Sequence, residues 1–204
     1  MKTPHMLYAL VFLISIAPHY VYAGKDQGNA ACPVESPYDG MSFEEKFGND
    51  VLDKMRCNKR RSQVKMVMQV NAALDGKNRM YGFRNLPNII NDFEKTHGIE
   101  KWEIAVVIHS GGFPFVLDPD ADDPHPQAGL NDVVVAAPYG DLNLTGAEVV
   151  EKLIDMGVDV YFCLNTASAL NITTDQMLPN VKYVPAGLSA IMDFQYSGYK
   201  YVQP

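Results

Sequence analysis

Basic residues are scarce in this chain. Its 204 residues carry 17 Lys and Arg against 24 Asp and Glu, a formal net charge of −7. Nucleic-acid binding draws on clustered cations that release condensed counterions, and no such footprint is present, so a nucleic-acid partner is excluded. No apolar run reaches the roughly 20 residues that a bilayer-spanning helix needs, so no such helix is expected. The 15 Gly and 13 Pro are an ordinary globular share, which excludes a collagen-like or low-complexity chain. Three familiar catalytic signatures are also missing. There is no Gly-x-Ser-x-Gly nucleophile elbow. There is no Gly-rich dinucleotide fingerprint and no phosphate loop after the first strong strand, where Asn71-Ala72-Ala73-Leu74 stands instead. The length suits one domain, or one domain with an extension.

The chain begins as an address. Lys2 precedes a short apolar run over 6–17 (MLYALVFLISIA), Pro18 follows at once, and Val21-Tyr22-Ala23 puts small residues at both ends of a tripeptide. That is the order of a secretory signal peptide cleaved after Ala23. Cleavage leaves 181 residues, and losing Lys2 takes the charge from −7 to −8. The expected location is periplasmic or secreted. Export permits thiol oxidation, and the three cysteines are Cys32, Cys57 and Cys163. A Cys32–Cys57 bridge would close a loop of about 25 residues and stabilise by roughly 3.5 kcal/mol in the chain-entropy picture, leaving Cys163 single. The alternative is three reduced, packed thiols.

The division expected is 1–23 signal peptide, 24–62 extension and 63–204 α/β domain. In the extension Phe43, Phe47, Val51 and Met55 recur every four residues, which predicts a helix face. Strands are predicted at 64–70 (VKMVMQV), 103–109 (EIAVVIH), 158–163 (VDVYFC), 181–184 and 199–202. Helices are predicted between them: 84–96, one behind the capping box Thr145-Gly146-Ala147-Glu148 and ending at Gly157, about 166–170 with Thr166 as cap, and 188–196. Alternating helices with nearly all-apolar strands indicate an α/β fold, a three-layer α/β/α sandwich on a mainly parallel five-stranded sheet.

In such sheets ligands gather at the carboxyl ends of strands. That rule selects Asn71, His109, Ser110, Cys163, Asn165 and the segment Pro185-Ala186-Gly187. Cys163 ends a strand just before a helix, where positive partial charge favours a thiolate, and His109 could add charge or move a proton. A core cysteine beside a structural histidine satisfies the same pattern. Ser110, Gly111 and Gly112 could bring backbone amides to an anion, or simply make a tight turn. Asp118, Asp120 and Asp122 have calcium-loop spacing, but Asp123 stands where that loop needs Gly and Gly129 where it needs Glu. This segment reads as a solvated lid over the strand ends. No close ligand pair joins His109, His125 and Cys163, and no metal is expected. Asn143-Leu144-Thr145 and Asn171-Ile172-Thr173 are glycosylation sequons.

Several pieces in order now carry a likeness: VKMVMQVN, NIINDF, IAVVIHSGG, Gly157-Val158 leading through VDVYFC to Cys163, then Asn171-Ile172, LPNVKYVPAG and FQYSGYKYVQP. The stretch 64–204 resembles the DsrE/DsrF-like sulfur-relay family, in particular its exported members. The resemblance implies a three-layer α/β/α domain and sulfur carried as a persulfide on Cys163. It also implies a homo- or hetero-oligomer that hands sulfur to a partner protein. His109 matches a position that is often polar in the family. The chain departs at Leu164-Asn165, where many exported relatives have Gly-Gln, and in its acidic 118–141 segment.

The expected function is therefore an exported sulfur carrier. Cys163 would take sulfur from a sulfane donor such as a polysulfide or thiosulfate-derived species and pass it to an acceptor protein thiol. His109 would tune the thiolate, while Asn71, Ser110, Gly111, Gly112, Asn165 and Gly187 would line the donor site. No cofactor is called for, since sulfur is the cargo. Two other readings use the same residues: a small-anion or protein-binding module with an inert Cys163, and a thiol enzyme acting on a carbonyl or phosphate substrate.

Overall fold

Two segments with almost no polar residues, VKMVMQV and IAVVI, become the centre of a sheet, because only strands covered on both faces can use such runs. The computed structural model describes residues 30–31, 41–56, 58–59, 61–73, 86–96, 99, 101–128, 135–136 and 143–203. In chain order the strands are β1 (Ala30–Ala31), β2 (Asn58–Lys59), β3 (Gln63–Ala72), β4 (Lys101–Gly111), β5 (Val135–Ala136), β6 (Asn143–Leu144), β7 (Asp159–Cys163), β8 (Lys182–Val184) and β9 (Lys200–Val202). The α-helices are α1 (Phe43–Phe47), α2 (Val51–Lys54), α3 (Leu86–Asn91), α4 (Gly146–Asp155), α5 (Leu164–Leu170) and α6 (Gly187–Tyr196).

The main sheet has the order β8-β7-β4-β3-β9. All four of its pairings are parallel, so the sheet is wholly rather than mainly parallel. Strand alternation sorts its residues onto two faces. Met66, Met68, Val70, Ile104, Val106, Ile108, Val160 and Phe162 pack with Leu86 and Ile90 of α3 and with Val150 and Leu153 of α4 in the larger core. The opposite face holds a small core of Val67, Ala105, Val107 and Ile191, flanked by Tyr161, Phe194 and Tyr199. Helices thus cover both faces, as the three-layer reading requires.

The five long-range strands and the α4 capping box stand where the sequence places them. The helix expected over 42–55 does not. The chain turns at Gly48 (φ 100°) and leaves two short helices that bury none of their residues. The break at Gly48 separates Phe43 and Phe47 from Val51 and Met55, so the apolar positions do not line one helix. The helix at 84–96 is α3 followed by a π-helical turn over Asp92–Thr96. The signal segment, its cleavage site, Cys32, Cys57 and Gly129 lie outside the described residues. Among the described residues no helix is long and apolar enough to cross a membrane.

Candidate functional site

At the carboxyl end of the sheet, the ends of β4 and β7 and the start of α6 enclose a cleft of about 690 Å³. Its polar lining residues are His109, Ser110, Cys163, Asn165, Thr166 and Ser189. Its apolar ones are Phe113, Ala169, Leu170, Ala186 and Leu188, with Gly111 and Gly187 beside them. Of the residues expected to line it, Asn71 and Gly112 do not. Gly112 makes the turn instead. Its N–H donates to the His109 carbonyl at 3.0 Å, and a side chain there would meet the Val70 carbonyl oxygen at 2.7 Å.

Cys163 ends β7 and is the N-cap residue of α5. The cap expected at Thr166 is therefore three residues early. Thr166 sits in the first turn, and its hydroxyl serves the sulfur. The Gly187 N–H donates to Cys163 Sγ at 3.2 Å. Burial pushes the Cys163 thiol up, but the Thr166 hydroxyl and the N–H groups of Thr166, Gly187 and Asn165 together push harder the other way, leaving it below the ordinary thiol value. Of those N–H groups the one on Asn165 also binds the Pro185 carbonyl at 3.2 Å, which ties the start of α5 to the end of β8. The residue is 5% exposed and lines the cleft.

His109, read as adding charge or moving a proton, sits between two polar partners. Its Nε2 lies 2.7 Å from Gln69 Nε2 and its Nδ1 lies 2.9 Å from Ser110 Oγ. Gln69 Oε1 accepts from the Tyr201 hydroxyl, whose oxygen also lies 3.2 Å from Gln203 Oε1, and the amide nitrogen is placed toward the ring. An amide nitrogen only donates, so Nε2 carries the lone pair and Nδ1–H donates to Ser110. Burial also holds the imidazole below its ordinary value. His109 is placed as a neutral donor, and the groups that lower the Cys163 thiol are a hydroxyl and backbone N–H dipoles.

Ser110 joins the two halves. Its N–H donates to Thr166 Oγ1 at 3.0 Å, and the Thr166 hydroxyl in turn donates to Cys163. This amide is spent on Thr166, as that of Gly112 is spent on His109, so two of the three amides of the Ser110-Gly111-Gly112 turn are engaged within the protein. Ser110 also has φ 49°, a left-handed conformation rare outside Gly and Asn that marks stored strain. Sequence reasoning missed Thr166 as a site residue, and it missed Gln69 and Tyr201 altogether. A single Gln inside an apolar strand was the available signal for the first of that pair. The acidic segment is no lid. It folds back on the turn after α5, with Asp118 N–H on the Gln176 carbonyl and Gln176 Nε2 on the Asp123 carbonyl, and none of residues 118–126 lines the cleft. Among the described residues no cluster of His, Cys, Asp and Glu has metal-binding geometry.

A model of the DsrE/DsrF-like family matches residues 65–204. The chain belongs to the DsrE/DsrF-like family. The matched region runs from β3 to β9 and contains every residue of the cleft. No curated protein matches the chain. Among solved structures, the protein of unknown function MTH1491 from Methanobacterium thermoautotrophicum is 23% identical. The alignment covers 69% of this chain and 99% of that one, at a TM-score of 0.45. For this DsrE/DsrF-like chain the fold rests on its own strand order and register.

Proposed function

We propose that this protein is an exported sulfur carrier that holds sulfane sulfur as a persulfide on Cys163. The observation that carries the reading is a thiol set in the wall of a cleft and surrounded by donors that favour its anion. Membership in the DsrE/DsrF-like family supports it, and the signal-like first 23 residues support export to the periplasm or beyond. The Cys163 thiolate attacks the sulfane sulfur of a donor. The donor's S–S bond breaks, and its leaving group departs with the electron pair. An acceptor thiolate then attacks the outer sulfur of the persulfide and Cys163 leaves as thiolate, so no external oxidant or reductant enters. His109 orients Ser110 at the mouth of the cleft. The ridge of Leu188, Met192 and Tyr196 on α6, exposed and spaced every four residues, starts at the cleft wall and is where an acceptor protein or a second copy of the chain would meet it.

The test is to incubate the signal-free protein with inorganic polysulfide and weigh it intact. Wild type should gain one sulfur and Cys163→Ser none. An adduct that persists in the variant, or its absence from wild type, ends the reading. The 5% exposure of Cys163 favours a second reading, a binding module with an inert thiol. Under that reading, native Cys163 would alkylate far more slowly than the same residue in the urea-unfolded chain.

A further inference from the structure

We infer that the cleft selects an organic hydropersulfide with an apolar R, taken in its neutral R–S–SH form, over inorganic or carboxylate-bearing sulfur donors. The inference rests on the carrier reading and adds the class of donor. Three observations carry it. First, among the described residues no Lys, Arg, Asp or Glu lines the cleft, and burial holds its one histidine below the ordinary imidazole value. A dianion such as thiosulfate would lose water there and meet no cationic side chain, which is unfavourable. Second, the lining includes Phe113, Ala169, Leu170 and Leu188, apolar surface that gains by covering an apolar group. Third, two of the amides that could have cradled an oxyanion are committed: Ser110 N–H to Thr166 and Gly112 N–H to the His109 carbonyl. One donor that remains is the Ser110 hydroxyl. Its oxygen already accepts from His109 Nδ1–H, so its own hydrogen is available to the cleft.

The step balances without a further reagent. Cys163–S⁻ attacks the outer sulfur of R–S–SH, and a new S–S bond forms as the old one breaks. R–S⁻ takes the electron pair and leaves beneath the Ser110 hydroxyl, while the hydrogen stays on the transferred sulfur as Cys163–S–SH. The net charge of −7 on the whole chain acts in the same direction, since it disfavours the approach of anions.

The experiment compares three donors on the signal-free protein: benzyl hydropersulfide, glutathione hydropersulfide and thiosulfate. Sulfur gain is followed by intact mass, and each rate is divided by that of the same donor with N-acetylcysteine to remove intrinsic reactivity. The normalised rate for benzyl hydropersulfide should exceed the other two by about tenfold or more. Leu188→Lys, at a position 62% exposed, puts a cation in the cleft lining and should narrow that gap by raising the glutathione rate. Equal normalised rates, or a gap unmoved by Leu188→Lys, overturn the selection while leaving the carrier reading intact, provided the gain still requires Cys163. No gain from any donor, or a gain retained in Cys163→Ser, overturns the carrier reading itself.

Discussion

On the face covered by α3 and α4, strands β3, β4 and β7 present Met, Val, Ile and Phe with almost no accessible surface. On the opposite face the same strands present Gln69, His109, Tyr161 and Cys163, with Tyr199 and Tyr201 from the edge around β9, over a core of four buried residues. Adjacent residues of one strand thus serve different ends. Phe162 is fully buried in the larger core, and Cys163 stands in the wall of a cleft. The period of two lets a single sheet keep its hydrophobic stabilisation on one side and its polar groups on the other. The thin face can hold buried polar groups because each has a partner: Gln69 has His109 and Tyr201, His109 has Ser110, and Cys163 has Gly187.

The division breaks most severely at Phe162. Phe162→Ala opens a cavity in the larger core and should cost about 3–5 kcal/mol, read as a large drop in the guanidinium midpoint. A loss under about 1 kcal/mol would mean that this face is not the stabilising one. Gly187→Ala tests the thin face. A Cβ there would lie 3.1 to 3.3 Å from Cβ, Cγ and Cδ2 of His109, so the ring or the start of α6 must shift, at about 1–3 kcal/mol. The shift also draws the Gly187 N–H off the sulfur, and the pH midpoint of Cys163 alkylation should rise. An unchanged midpoint would show that this contact does not hold the anion.

Thr166→Val should be milder for stability, about 0.5–1.5 kcal/mol, because it removes one hydroxyl and leaves the Ser110 N–H without its acceptor. Its mark is chemical: the alkylation midpoint moves up and Thr166→Ser restores it. If Val and Ser behave alike, the hydroxyl contributes nothing to the thiolate.

The strands were legible because burial on both faces writes itself as an apolar run, and Cys163 and His109 were legible because they end such runs. The connections between them were not. Gln69 reaches His109 across 40 positions of sequence and Tyr201 reaches Gln69 across 132. Those contacts follow from β3 lying between β4 and β9, an order that no local pattern encodes. Thr166 was visible as a helix-start residue, but only the backbone shows that the helix begins at Leu164, which turns a supposed cap into a donor to the cap's sulfur. The α1–α2 misreading has the opposite origin, a pattern that was present with no partner surface to make it matter.

The smallest effect is the dependence of stability on His109 ionisation. The unfolded chain binds a proton on this side chain near pH 6.5, while burial lowers the value in the folded protein. Above about pH 6.5 both forms are neutral and His109 contributes no slope. As the pH falls through that value the unfolded state takes up a proton that the folded state refuses, so stability declines until the lower folded value is reached. Protonation in place would set an Nε2–H against the Gln69 amide N–H, with the amide held by Tyr201. Denaturant unfolding of wild type and His109→Asn at several pH values between about 7 and 5 isolates this contribution, since other groups cancel in the difference. The wild-type curve should fall relative to the variant only on the acid side. Parallel curves would mean that the imidazole accepts its proton at no expense, and that the thin face is wet enough to bear a charge beside Cys163.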